Sequence, residues 1–255
     1  MQSAQHMAAG LRTLTIGSRI RRWRTYRLRH TVARTGGPVD PSTVSRPGPE
    51  VPVPFDPRRE LVGYTARRGR IDLLDLPARR YLAVDGTGDP NTSSAYADAL
   101  ASLYPVTYGL KFLSSRELHR DYRIPPLEAL WWADDLEAFT SGRNKNRWHW
   151  TVLTVVPEWL TDEHVDTVQG RVRERAGGPP PRSVEMRTME EGAVVQTLHV
   201  GPYDAEGPVI AAMHDEATAR GRSLTGRHHE IYLNDARRTA PERLRTILRQ
   251  PVTGD

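Results

Sequence analysis

Hydrophobic and polar positions alternate, or recur at helical spacing, along most of the chain, and glycine and proline separate the resulting segments. The apolar run at about 80–85 predicts a strand, and Gly86 suits the turn that ends it. Residues 94–104 carry apolar side chains at helical spacing after a serine N-cap. We expect Pro105 to end this helix and the alternating residues 106–113 to form another strand.

The second half of the chain repeats this order of elements. AVVQTLHV predicts a strand, AEGPVIAAMHDEATARG a helix and HHEIYLND another strand, as YLAVDGTGDP and the residues after it do in the first half. Gly88 and Gly201 mark corresponding turns, which indicates an internal duplication with a period of about 113 residues. Each unit would cover one sheet face with a helix, and the two bare faces would meet at a cleft.

The first 54 residues differ from the rest of the chain. Residues 1–50 hold nine arginines and two acidic residues, although the whole chain has a net charge of only +5. A Pro/Gly/Ser-rich tract without periodicity follows the basic patch, so we expect a disordered tail. A transit peptide, or a patch for nucleic acid or anionic lipid, is the alternative. We do not expect nucleic acid as a partner, because the tail has room for one helix and not for a helix-turn-helix.

Several absences narrow the function classes. No apolar run approaches the ~18 residues of a membrane span, so we expect no membrane partner and a cytoplasmic protein. The chain has no cysteine, which excludes disulfides, a thiolate nucleophile and zinc sites of the cysteine type. GxGxxG, Walker and GxSxG motifs are missing. His228, His229 and Glu230 lack the further ligands of a zinc site, and we expect neither a metal nor an organic cofactor.

A carboxylate stands in the middle of the predicted strand HHEIYLND. Successive strand residues point to opposite faces, so Ile231 and Leu233 share one face, and Glu230 and Tyr232 share the other. We expect the helix around Met213 to cover the apolar face and Glu230 to face the cleft. There it would hold a positive group or exchange protons with a raised pKa. The alternative is an edge strand on which Glu230 is simply solvated.

Aromatic residues are concentrated in one region, because five of the six tryptophans lie between Trp131 and Trp159. Flat apolar side chains suit the walls of a cleft for a planar ligand, although an aromatic core would use the same residues. Polar residues inside the apolar strands favour the cleft. The candidates are Trp131, Trp132, Trp148, Trp150 and Tyr108 among the aromatic residues, and Glu128, Gln196, His199 and Glu230 among the polar ones.

The segments YLAVDGTGDPN, PLEALWW, VQTLHVGPYDAE and HHEIYLNDARRTAPERLRTILRQPV together resemble the GyrI-like small-molecule-binding family, and in particular its stand-alone branch, the GyrI-like cyclopropanoid hydrolases. The resemblance covers about residues 55–252. It implies an α+β fold in which two pseudo-repeated strand-helix-strand-strand units, at about 71–176 and 182–252, place antiparallel sheets around a central ligand cleft. We therefore expect a tail at 1–54 and one GyrI-like domain at 55–255.

The resemblance also implies a chemistry. Members of the wider family bind hydrophobic or cationic drugs, and the stand-alone branch protects cells by adding water to the strained cyclopropane rings of DNA-alkylating agents of the yatakemycin and duocarmycin type. By motif position, Glu230 is implied as the general base. Tyr108, Tyr232 or His199 would donate a hydrogen bond to the carbonyl oxygen of the ligand.

Two further positions match the family's motifs, and one departs from them. Glu128 in PLEALWW matches as a second carboxylate, and Tyr203 in VGPYDAE as a ligand contact. His229 precedes Glu230 where an arginine is expected in many relatives.

Two other functions stay open on the sequence. The first is a non-catalytic module that binds or sequesters a drug, including as a transcription-related ligand sensor. The second is a structural protein whose aromatic strands form an interface. An enzyme would consume excess substrate, whereas a sequestering protein would bind one equivalent and stop. For both the enzyme and the binding module, the expected partner is a hydrophobic planar small molecule.

Overall fold

The computed structural model describes residues 53–134, 145–180 and 182–254, so nearly all of the predicted tail lies outside the described residues. Within these ranges, no helix has the length and hydropathy needed to cross a membrane. The helices and strands in chain order are α1 (Pro57–Glu60), β1 (Asp72–Leu76), β2 (Arg79–Thr87), α2 (Ser94–Arg116), β3 (Leu127–Trp132), β4 (His149–Val155), α3 (Asp162–Ala176), β5 (Glu185–Met189), β6 (Gly192–Val200), α4 (Gly207–Ala219), β7 (Ser223–Leu224), β8 (His228–Tyr232) and β9 (Arg245–Thr253).

The strands form an antiparallel sheet whose order reflects the internal duplication. The order is β1-β6-β9-β8-β3-β4-β2-β5, with β7 beside β9. The first unit consists of β2, α2, β3 and β4, and the second of β6, α4, β8 and β9. The strands that follow the two helices, β3 and β8, pair at the centre of the sheet, with Ala129 opposite Glu230. The α+β fold and its two strand-helix-strand-strand units are thus confirmed.

Two short connections make the sheet strongly curved. β1 lies at one edge and β2 lies next to the other edge, yet only Pro77 and Ala78 separate them in the chain. Glu190 and Glu191 separate β5 from β6 in the same way. Three residue steps span at most ~11 Å, so the two ends of the sheet must approach each other. The concave face encloses a core formed by Tyr64, Tyr81, Ala83, Leu130, Leu153, Val155, Leu198, Ile231 and Ile247.

Helix α2 continues through Pro105, so the expectation that this proline ends the helix, and that a strand follows, is wrong. An internal proline removes one backbone hydrogen bond and costs ~3 kcal/mol. The buried stripe of Leu103, Val106, Leu110 and Leu113 keeps helical spacing on both sides of the proline. Burial of these large side chains outweighs the cost, at ~1.5–3 kcal/mol for each.

Both α2 and α4 pack on the outer face of the sheet. Leu82 and Val152 lie in one core with α2, and Met213 of α4 packs with Val195 and Leu248. The expectation that α4 covers the face of Ile231 is therefore wrong, because Ile231 lies in the concave core. The two helices flank the outer face of β3 and β8, and this face forms the floor of a cleft.

Candidate functional site

A large cavity lies on the outer face of the sheet between α2 and α4. Its volume is about 1820 Å³, which exceeds the ~300–1000 Å³ usual for small-molecule sites. Both units contribute to its lining. The first unit provides Tyr96, Leu100, Tyr104 and Tyr108 from α2, Trp131 from β3 and Trp148 directly before β4, and the second provides His228, Glu230 and Tyr232 from β8 and Tyr203, Glu206, Ile210 and His214 at α4. The duplication therefore builds one cleft from two halves.

Aromatic side chains form the inner wall of the cleft. The rings of Tyr96 and Trp131 stack with their centroids 6.1 Å apart and an interplanar angle of 18°. Trp148 meets Trp131 edge-on at 5.8 Å, and Tyr203 meets Tyr232 edge-on at 5.6 Å. These contacts fix the rings against one another, which suits a rigid surface for a planar apolar ligand.

Glu230 projects from β8 into this aromatic wall. Its side chain is only 15% exposed. The Tyr232 hydroxyl donates a 2.6 Å hydrogen bond to Glu230 Oε2 and accepts one of 3.3 Å from Trp131 Nε1. Burial raises the pKa of Glu230, and the contacts with Tyr232 and Trp131 oppose that rise. Burial also raises the pKa of Tyr232 well above its usual range, so its hydroxyl stays protonated and orients the carboxylate.

A second carboxyl, that of Glu206, lines the same cavity. Glu206 directly precedes α4 and is 5% exposed. Its Oε1 atom is buried and has no hydrogen-bond partner among the described residues. Burial, followed by the charge of Glu230, raises the pKa of Glu206 well above its usual range. The pKa of Glu206 is thus raised further than that of Glu230, so Glu206 is the member of the pair that holds a proton more readily.

Sequence reasoning missed Glu206, although it lies inside the VGPYDAE segment that carries the family resemblance. The glycine and proline that follow it, Gly207 and Pro208, mark the first turn of a helix. A carboxyl at that point therefore lies at a helix N-terminus. The sequence did not reveal that this helix end faces the strand carrying Glu230.

The other candidate residues divide between the cleft and the rest of the molecule. Tyr108 lies on the rim of the cavity and is 47% exposed, on a helix and not on the predicted strand. Trp132 also borders the cavity, where it stacks on His149 and lies under the guanidinium of Arg227. Trp150 is fully buried in the core beneath α2. His199 is not among the residues that line the cavity, and its Nε2 lies 3.1 Å from the carbonyl oxygen of Pro202.

Glu128 and Gln196 lie on the concave face and belong to a buried polar network. His229 Nε2 is 3.0 Å from Glu128 Oε2, and its Nδ1 is 2.9 Å from Glu191 Oε1. Arg249 forms an ion pair of 2.5 Å with Glu191 and donates to Gln196 Oε1 at 3.2 Å. Tyr64 donates to Glu128 at 2.7 Å. The sheet separates this network, which we call the concave network, from the cleft.

Charges balance in the concave network when His229 is protonated. Burial alone would lower the pKa of His229, but the charge of Glu191 and hydrogen bonds with Glu128 and Glu191 raise it to about 8. Burial would raise the pKa of Glu191, but His229 and Arg249 lower it to about 2. Two cations thus face two carboxylates in an enclosed space, which is the condition for burying charge at tolerable cost.

No group of three or more histidine, aspartate or glutamate side chains in the described part of the chain is placed to hold a metal ion. The cleft instead combines an apolar aromatic wall with two convergent carboxyls, between two repeats of one fold. This combination defines a small-molecule-binding domain.

Comparison with known proteins agrees with this class. The sequence profile of the GyrI-like small molecule binding domain matches residues 70–253, and the chain belongs to this family. No curated protein matches the chain. Three solved structures from Listeria innocua are similar at 30–32% identity and cover 78–79% of this chain and all of their own. One is described as an uncharacterized conserved protein, with a TM-score of 0.72. Two are described as hydrolases, with TM-scores of 0.68 and 0.70.

Proposed function

We propose that the cleft binds hydrophobic planar compounds and hydrolyses strained cyclopropane rings in DNA-alkylating agents by adding water. The observation that carries this proposal is Glu230, a buried carboxylate held by Tyr232 within an aromatic wall. Two similar proteins that are described as hydrolases support a catalytic reading. The physiological role would be self-protection or detoxification.

The reaction needs a base on one side of the ligand and a proton donor on the other. Glu230 removes a proton from water as the water oxygen attacks a ring carbon. The carbon–carbon bond of the cyclopropane breaks, and its electron pair moves into the conjugated carbonyl system. The carbonyl oxygen takes up the proton of Glu206, and the product contains the ligand plus one water. Glu230 and Glu206 then exchange their proton, which restores the starting state.

The neighbouring aromatic residues position both reactants. Tyr232 orients Glu230 and stays protonated, so it serves here as a positioning residue. Trp131, Trp148 and Tyr96 stack on the planar ligand and exclude competing nucleophiles from the reactive ring. Tyr203 contacts the ligand from the side of α4. Tyr108 on the rim would contact the outer edge of the ligand.

The test is incubation of the purified protein with a large excess of yatakemycin, with mass spectrometry of the ring-opened product. We expect multiple turnovers in the wild type. Glu230→Gln and Glu206→Gln should each lose ~10²-fold or more of the rate, because each removes a proton-transferring group. Glu216→Gln is the matched control, since this carboxylate lies on α4 in an exposed ion pair with Arg220.

A single equivalent of bound compound without product would contradict the hydrolase proposal. It would favour the alternative, a module that sequesters or senses a drug. An unchanged rate in Glu230→Gln would remove the proposed base even if turnover occurred.

A further inference from the structure

Two histidines, His214 and His228, contribute further polar groups to the cleft. His228 lies two residues before Glu230 on β8 and on the same face, and His214 lies on α4, one helical turn after Ile210. Both line the cavity. His214 Nε2, His228 Nδ1 and His228 Nε2 are buried and have no hydrogen-bond partner among the described residues. Glu230 Oε1 lies 3.7 Å from His228 Nε2.

Unpaired buried nitrogens are unfavourable, at ~1–3 kcal/mol for each group. Three of them in one region of a ligand cavity therefore point to a bound group that satisfies them. Gln250 also lines this region. Its side-chain nitrogen donates to the Thr225 carbonyl at 2.5 Å, and its amide interacts with His228 and opposes part of the fall in the pKa of that ring. Buried imidazole nitrogens without a partner among the described residues still remain at this end of the cleft.

Burial favours the uncharged form of both imidazoles. Burial lowers the pKa of His228 to about 3, with a further contribution from the nearby His214. Burial also lowers the pKa of His214, which Asp215 opposes in part. A neutral imidazole presents one N–H donor and one nitrogen acceptor. This combination matches a ligand group that both donates and accepts, such as a hydroxyl or an amide.

We infer that His214 and His228 form a polar subsite that binds an uncharged donor-and-acceptor group on the non-reacting part of a planar ligand. The inference rests on the proposed binding of planar compounds in the cleft and does not depend on their hydrolysis. A metal is disfavoured because no three-ligand group is present in the described residues. An anion is disfavoured by the carboxyls of Glu230 and Glu206 in the same cavity.

The test compares two probes of equal shape, 2-naphthol and 2-methylnaphthalene, by titration against the full-length protein. The measured quantity is the ratio of their Kd values, methyl over hydroxyl. Each lost neutral hydrogen bond corresponds to ~0.5–1.5 kcal/mol, or up to about tenfold. We expect the ratio to fall up to about tenfold in His228→Phe and in His214→Phe. His119→Asn, at an exposed position with a positive φ that asparagine tolerates, should leave the ratio unchanged.

A direct readout uses protein labelled with ¹⁵N in the histidine rings. The nitrogen resonances of His214 and His228, identified by their loss in His214→Gln and His228→Gln, should report neutral rings. They should shift on binding 2-naphthol and not on binding 2-methylnaphthalene. These polar variants also serve where a phenylalanine variant fails to fold.

Three results would overturn the inference. If both probes bind but the ratio changes only in Glu230→Gln, the hydroxyl binds at the carboxylate, and the subsite alone is wrong. If stoichiometric Zn²⁺ shifts both ring resonances and competes with 2-naphthol, the histidines form a metal site. If neither probe binds the wild type, both the cleft and the subsite are wrong. Failure to consume yatakemycin would contradict the hydrolase proposal and leave this inference intact.

Discussion

Adjacent residues of β8 belong to two different environments. Glu230 faces the aromatic cleft, whereas His229 faces the concave network, because side chains alternate across a strand. The sequence stretch HHEIYL therefore carries two buried polar systems within three residues.

Protonation of His229 should make stability depend on pH above neutrality. The folded pKa of about 8 exceeds the ordinary value of 6.5, so the stabilisation is complete below pH ~6.5 and is lost as pH rises through 8. The pKa difference corresponds to a loss on the order of 2 kcal/mol in the free energy of unfolding between pH 6.5 and 9.5. Urea unfolding at several pH values should show this fall.

The control for this prediction is His229→Gln, in which the fall between pH 6.5 and 9.5 should become smaller by the His229 contribution, although the protein is less stable throughout. The raised pKa of Glu206 contributes a fall of its own that both proteins share. Glu191 does not interfere, because its lowered pKa confines its effect to pH below about 4.5. The lowered pKa of His228 acts below pH ~6.5, where its contribution rises with pH. An equal slope in both proteins would exclude His229 as its source.

The structure places Glu230 in the cleft and Glu128 on the concave face, although the sequence predicted a cleft position for both. Alternation along a strand predicts which residues share a face, but not which face is the cleft. Glu128 and Gln196 are polar residues in apolar strands, as a cleft would require, yet their faces point into the concave core. The curvature of the whole sheet determines which face carries the cleft and which face encloses the core.

At the scale of single elements, helix α2 and strand β2 show how packing overrides local preference. Pro105 predicted a helix end, but the buried stripe on both sides of it determined the helix. Most strands and α4 were predictable because their periodicity and their flanking glycines and prolines agree. The exception at a strand end is Gly86, which was expected in a turn but lies within β2 and pairs with Trp150. The continuation of α2 beyond Pro105 was not predictable, because the apolar residues among 106–113 fit an alternating strand as well as one face of a helix.

In strand β2, the ring of Trp150 fills the space that a side chain on Gly86 would need. A Cβ added to Gly86 would lie 2.0–2.6 Å from three ring atoms of Trp150, whose Nε1 donates to the Gly88 carbonyl at 3.1 Å. Because this indole is rigid and fully buried, Gly86→Ala should lower the free energy of unfolding by about 3 kcal/mol. Urea denaturation would measure the loss.

Gly170 offers the opposite case within α3, where an added Cβ meets nothing within 4 Å. Gly170→Ala should raise the free energy of unfolding by ~0.5–1 kcal/mol, because alanine has the better helix propensity. Equal effects of the two substitutions would contradict the role assigned to Gly86.

At the scale of the whole molecule, the two units share their core and are not separate bodies. β3 and β8 pair across the centre of the sheet, and the concave core takes Leu153 from one unit and Leu198 from the other. The concave network joins Glu128 of the first unit to Arg249 of the second through His229 and Glu191. The duplication was visible in the sequence, but this sharing depends on curvature that the two-residue connections impose.

Shared burial predicts that the two units unfold together. Five tryptophans lie between Trp131 and Trp159 and report the first unit, whereas far-UV circular dichroism reports both units. In Trp23→Phe, which removes the fluorescence of the predicted tail, the urea transitions by fluorescence and by circular dichroism should therefore coincide.

A loss of circular dichroism at lower urea, with the fluorescence still native, would mean that the second unit unfolds alone. In that event half of the cleft, including Glu230, His228 and His214, would be lost before the tryptophans of the first unit, and ligand binding should fail at the earlier transition. Coincident transitions would instead tie the integrity of the cleft to the shared core, since neither half could then exist without the other.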